Sequence, residues 1–258
     1  MKVICLVENT SSDPRLEAEH GLSLYLEVFE KKILFDMGQS DLFWKNSEKL
    51  GVSLEQVDFA VLSHGHYDHG GGLRFFLEHN KKAPVYLSKH AFSPCYNAEG
   101  KAIGLDPSLK ENPRLQFIGN QLRIVSGVSL LSCNRRKKRW QTDPFGLCVE
   151  KRKERVPDDF LHEQYLLVQE NGKKVLISGC SHKGILNLAE WFHPDYCIGG
   201  FHFSKMPLGE PLKSFAKQLN EFHTDFYTCH CTGTEQYRYM QKQMDRLHYL
   251  SCGDYIEI

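Results

Sequence analysis

The apolar run VDFAVL, residues 57–62, passes directly into SHGHYDHGGGL, which sets His64, His66, Asp68 and His69 within six residues. A short apolar run of this kind reads as a buried strand, so the fold must deliver three imidazoles and a carboxylate at the end of a core element. Each of those groups needs a hydrogen-bonding partner or water. Imidazole nitrogen and carboxylate oxygen are the donors that divalent zinc, manganese and iron accept, and one ligand-rich loop can serve two ions. The remaining ligands must then come from other strand ends.

Those strand ends recur. Residues 2–8, 22–29 and 31–38 read as strands, and 40–52 as a helix with Ser40 as N-cap and Gly51 as its stop. After the buried strand at 57–63, residues 71–80 read as a helix and 83–88 as a strand. This is an α/β order with the polar cluster at a strand's C-terminal end, where such folds place their sites. In the second half, 163–179 reads as a hairpin turning at Asn171-Gly172, and its second strand runs into GCSHKG. Strands over 195–203 and 225–233 end near His202 and at His230, and 247–258 reads as a final pair closing the sheet. No repeated sequence marks a duplication.

One domain is expected over 1–258, with lid-like excursions at 93–120 and 134–155. The second excursion carries two basic runs, NRRKKRW and KRKER, for which a solvated hairpin is preferred to phosphate recognition. Overall charge is balanced, 32 basic against 32 acidic residues, so a small molecule, anionic or not, is a better partner than nucleic acid or a membrane. Nothing bears on oligomeric state. Nine irregularly spaced cysteines fit reduced thiols, and the N-terminus does not read as a signal peptide, so a cytoplasmic protein is expected.

The stretch His64-Gly-His66-Tyr-Asp68-His69-Gly resembles the HxHxDH signature of the metallo-β-lactamase superfamily, and KKILFDMG, with Asp36, resembles the strand that precedes it there. EHGLSLYLE, LFDMGQS, LSHGHYDHGGGL, SGCSHKGILN, GGFH and CHCTG resemble the successive motifs of one branch, the metal-dependent hydrolases grouped with archaeal dihydropterin-methyl ribofuranosylaminobenzene phosphate synthase. The resemblance implies an αββα sandwich with two divalent ions, zinc or manganese with iron as an alternative, at one edge of its two sheets. It implies that His64 and His66 hold one ion, that Asp68 and His69 face the second, and that His230 is the final histidine. The chain departs from the pattern between these motifs. Where the superfamily has a histidine before a hairpin and an aspartate after it, this sequence has HEQ at 162–164 and SGCSH at 178–182. Cys180 stands at the aspartate's place, so a bridging carboxylate is absent; His182 is preferred to Cys180 as ligand, with His162 and Glu163 as further candidates.

Two ions imply hydrolysis of a phosphoester, lactone or other ester, with Asp68 orienting the nucleophile or taking its proton. Lys183 and His202 are expected to meet a phosphate or oxyanion. The branch also implies a pterin-transferring synthase, for which Phe92, Tyr96 and Phe117 would offer an aromatic slot, although packing is their commoner use. An iron-binding redox or non-catalytic role is the third reading. Cys229 and Cys231 are expected on the strand face opposite His230, His20 near the cleft or a turn, and His79, His193, His223 and His248 at the surface.

Overall fold

The computed structural model describes residues 1–258, and most of the apolar runs become strands near their expected bounds. Residues 1–119, 146–164 and 251–258 make up one compact unit, and 120–145 with 165–250 a second.

The first unit is built on a seven-stranded sheet. Its order is Tyr255–Glu257, Lys2–Val7, Ser23–Val28, Lys31–Phe35, Phe59–Val61, Val85–Ser88 and Leu115–Ile118. The first three pairings are antiparallel and the last three parallel. The central parallel strand Phe59–Val61 is buried on both faces, which is why it reads as a continuous apolar run rather than an alternating one. Helices Leu42–Lys49 and Leu73–His79 contribute Phe43, Phe76 and Leu73 to a core with Leu34, Leu62 and Val85. Truncating either buried phenylalanine to alanine costs about 3–5 kcal/mol. Asn46 ties the first helix down, its Nδ2 donating to Leu6 O and Glu17 O at 2.8 Å each. Ser40 lies one residue before the cap position; its Oγ accepts the Leu42 N–H at 3.1 Å and so still satisfies a helix-start donor.

The second unit follows the same plan with unrelated residues. Its sheet runs Leu247–Tyr249, Asp225–Thr228, Tyr196–Ile198, Lys173–Ile177, Tyr165–Glu170, Val128–Leu131 and Gln121–Val125, with three parallel pairings followed by three antiparallel ones. In each unit a hairpin's second strand is where antiparallel pairing gives way to parallel: Lys31–Phe35 in one, Lys173–Ile177 in the other. Helices Ile185–Phe192, Glu210–Asn220 and Thr234–Gln241 cover this sheet through Leu188, Phe192, Leu212, Ala216 and Met240.

Against expectation, the last two strands do not pair with each other; Leu247–Tyr249 is an edge of the second unit's sheet and Tyr255–Glu257 an edge of the first unit's. Within residues 93–120, expected as a lid-like excursion, Cys95–Tyr96 joins a small sheet and Leu115–Ile118 is an edge strand. The two basic runs belong to different units: KRKER is the turn of the hairpin Cys148–Lys151/Glu154–Pro157, while NRRKKRW is a loop of the second unit.

Candidate metal centre

Asp36 follows directly on the strand Lys31–Phe35 and adopts φ +58°, a left-handed conformation costly for a non-glycine residue. Its buried carboxylate accepts three hydrogen bonds, from Ser63 N–H and Ser63 Oγ–H at 2.7 Å each and from His69 Nδ1 at 2.7 Å. A carboxylate only accepts, so the proton shared with His69 sits on Nδ1 and the lone pair is carried by Nε2. Ser63 has a single hydroxyl proton, already given to Asp36, so its 2.7 Å contact with His64 Nδ1 is a bond that the imidazole donates. One aspartate thereby assigns the tautomers of His64 and His69 together. Histidine ligands are oriented by such outer partners in metal sites generally.

His66 lies at the start of the short helix Tyr67–Gly70, which carries Asp68 and His69 on its first turn. Burial pushes the His66 imidazole down to about 3, with neighbouring His162 adding to the effect, so it is neutral as a metal ligand must be. Asp68 is oriented from outside by His20, whose Nε2 is 3.3 Å from its carboxylate. Gly65 is obligatory between the two histidines: a Cβ there would sit 2.1 Å from Ala91 O.

His162 Nδ1 accepts the Gly65 N–H at 3.1 Å, and its Nε2 meets Asp158 at 3.0 Å. Donor atoms of His66, Cys95, Asp158 and His162 lie within 4.8 Å of one another. Burial alone would raise the Asp158 carboxyl, but the hydrogen bond from His162 keeps it below its ordinary value. Cys95 Sγ lies 3.8 Å from His162 Nε2, and burial pushes that thiol up. Glu163 is fully buried.

In the second unit, three parallel strands end on one side and each is followed by a residue singled out in the sequence. Ser178 to His182 follow Lys173–Ile177, His202 follows Tyr196–Ile198, and His230 follows Asp225–Thr228. Ser181, His202 and His230 adopt φ of +56°, +59° and +51°. Such clustering of left-handed residues is a usual mark of functional sites. The His182 and His202 rings stand edge to face, 4.3 Å apart. Lys183 is buried with Nζ 5.6 Å from the Tyr165 ring centroid.

Cys231 does not fill an opposite strand face, because the strand stops at Thr228 and the chain turns through His230–Thr232. Its sulfur accepts the His202 N–H at 3.2 Å, and donor atoms of Cys180, His202 and Cys231 lie within 4.8 Å of one another. Burial opposes ionisation of Cys231, yet hydrogen bonds with Cys180 and His202 and the proximity of His230 hold its thiol well below the ordinary value. His202 Nδ1 is buried without a hydrogen-bond partner. Sulfur and imidazole donors of this kind suit zinc and softer ions. Ser63 and Asp158 were not singled out in the sequence, and Cys231 was expected on a strand face. Only the Ser directly before the first histidine offered a signal.

Other residues fall outside these clusters. His79 stacks on Phe75 at 3.7 Å, His248 on Tyr227 at 4.6 Å, and His193 ends the helix Ile185–Phe192. Tyr96 lies under the Arg155 guanidinium at 3.7 Å, while Phe92 and Phe117 contact each other at 6.1 Å.

A family model described as the metallo-beta-lactamase superfamily matches residues 18–182. The chain is similar to the uncharacterized protein MJ0448 of Methanocaldococcus jannaschii, 32% identical over 242 residues, 88% of this chain and 89% of that one. It is also similar to the 7,8-dihydropterin-6-methyl-4-(beta-D-ribofuranosyl)-aminobenzene-5'-phosphate synthase of the same organism, 27% identical over 268 residues, 93% of this chain and 90% of that one. Among solved structures, Tm1679, described as a metal-dependent hydrolase of the beta-lactamase superfamily, superposes with a TM-score of 0.82 at 31% identity, covering 100% of this chain and 99% of that one.

Proposed function

Because the chain belongs to the metallo-β-lactamase superfamily, we propose that it is a metal-dependent hydrolase of an ester bond, with His64, His66, Asp68 and His69 as ligands in the first unit and His182, Cys180 and His230 as ligands in the second. The observation that carries this reading is the Asp36–Ser63 network, which fixes the tautomers of two histidines beside a third that is buried and neutral. A core histidine needs no such preparation, whereas a ligand needs a lone pair aimed in advance. The donor set fits two divalent ions, zinc or manganese.

Divalent ions, when bound by these residues, would supply Lewis acidity and the means to activate water near neutral pH. Asp68 orients the attacking water and takes its proton, and His20 keeps the carboxylate in place. Asp36 and Ser63 fix His64 and His69, while His162 holds the loop through Gly65 N–H.

Similarity to a protein named as a synthase supports a second reading, group transfer at the same centre. The test is turnover of p-nitrophenyl acetate and bis(p-nitrophenyl) phosphate. Hydrolysis of either is expected, abolished by a chelator, restored by manganese or zinc, and reduced about 10²-fold or more in Asp68→Asn. Metal-loaded protein that turns over neither ester counts against the hydrolase reading.

A further inference from the structure

The second unit contains a cavity of about 300 Å³ at the C-terminal ends of its parallel strands, and its walls are unlike the rest of the candidate centre. Phe145, Phe203, Met206 and Phe215 line it together with His182 and His202. The aromatic rings meet edge to face or tilted: Phe145 to His202 at 5.6 Å, Phe201 to Phe203 at 6.0 Å and Phe203 to Phe215 at 5.1 Å. No lysine or arginine lines the cavity, and the one carboxylate residue that does, Asp143, is exposed.

The fourth side is the loop that carries the basic run, and that loop is pinned. Asn187, fully buried in the helix Ile185–Phe192, accepts the Arg139 and Trp140 N–H groups at 2.9 and 3.0 Å and donates to Trp140 O at 2.7 Å. Trp140 Nε1 donates to Gln218 at 2.9 Å, and the Arg139 guanidinium covers its ring at 4.7 Å. Arg136 donates to Trp191 O at 2.7 Å, and Arg139 pairs with Glu190 at 3.4 Å. Two charges of this run, Arg136 and Arg139, fasten the loop as a strap, and the strap presents Trp140 and Thr142 to the cavity.

We propose that this cavity binds the apolar portion of the substrate, a neutral planar aryl or heteroaryl group of about bicyclic size, which places the bond to be cleaved beside His182. The inference rests on the hydrolase reading for the position of the bond, and on the cavity alone for the class of group. A preformed pocket of aromatic walls with few polar groups is the usual form of a small-molecule site, and its size lies at the lower end of the usual range of about 300–1,000 Å³. Aromatic rings arranged edge to face offer a planar guest both faces and edges.

The test uses the metal-loaded full chain, with 1-naphthol as probe in calorimetry and 1-naphthylmethyl acetate against methyl acetate in turnover, two esters whose alkoxide leaving groups are of similar basicity. Saturable 1-naphthol binding is expected, retained in a His64→Ala/His66→Ala variant. Met206→Trp, which fills the cavity, should weaken it about tenfold or more. Phe145→Ala, which removes one wall, should weaken it about threefold or more. The naphthylmethyl ester should exceed the methyl ester in kcat/KM by at least about tenfold. Absence of saturable binding, or affinity unchanged in both variants, overturns the proposal. Binding that responds to both variants, without hydrolysis of either ester, upholds the pocket and sinks the hydrolase reading. Equal hydrolysis of both esters with no naphthol binding does the reverse.

Discussion

At the scale of single residues the candidate centre turns on Asp36, which no metal ion need touch for it to matter. Replacing it by asparagine puts an amide N–H₂ against groups that themselves donate, so at least one of the Ser63 and His69 bonds is lost. The expected result is a 10–100-fold loss of metal affinity with the fold intact, measured by competition with a chromogenic chelator. Ser63→Ala should fall between wild type and Asp36→Asn, since it breaks only the relay to His64. Equal affinity in all three proteins would remove the network from the account. The ligand cluster itself was legible in the sequence because it is contiguous. Its support was not, because Asp36 is 27 residues from Ser63, and His162 is 97 from Gly65. Cys231 was misplaced for a local reason: the sequence reads as a strand through His230, but a left-handed residue there turns the chain.

Among elements, the two hairpins that lead into the parallel strands differ in how much of their geometry the sequence reveals. Asn171-Gly172 turns with φ of +51° and +76°, the pattern its dipeptide announces. The turn between Ser23–Val28 and Lys31–Phe35 uses the same left-handed pair at Phe29 and Glu30, φ +49° and +62°, with no turn residue to reveal it. Phe29 is 42% exposed there, so little packing compensates. Changing Phe29-Glu30 to Asn-Gly should therefore stabilise the protein by about 1 kcal/mol, raising the melting temperature by about 2–4 °C. A lower melting temperature would mean that Phe29 contributes contacts outweighing the backbone strain. Strand and helix existence was readable from periodicity, whereas sheet membership was not. The final strands lie close in sequence yet serve different sheets, a choice made by edge pairing with Lys2–Val7 and Asp225–Thr228.

For the whole molecule, two units with unrelated sequences share one plan: antiparallel hairpin, switch to parallel pairing, and reactive residues following the strand ends. The chain has the metallo-β-lactamase fold, the α/β class that its motifs implied. No helix is long and apolar enough to cross a membrane. The substrate was not legible, because the cavity is assembled from residues between Trp140 and Phe215 that carry no common motif.

Whether His64, His66, Asp68 and His69 hold metal is read out by elemental analysis of protein purified without added metal or affinity nickel, beside His64→Ala/His66→Ala. About two equivalents of zinc or manganese per chain are expected, lost from the variant. Metal-free wild type, or a variant that keeps its full metal content, would contradict metal binding by these residues.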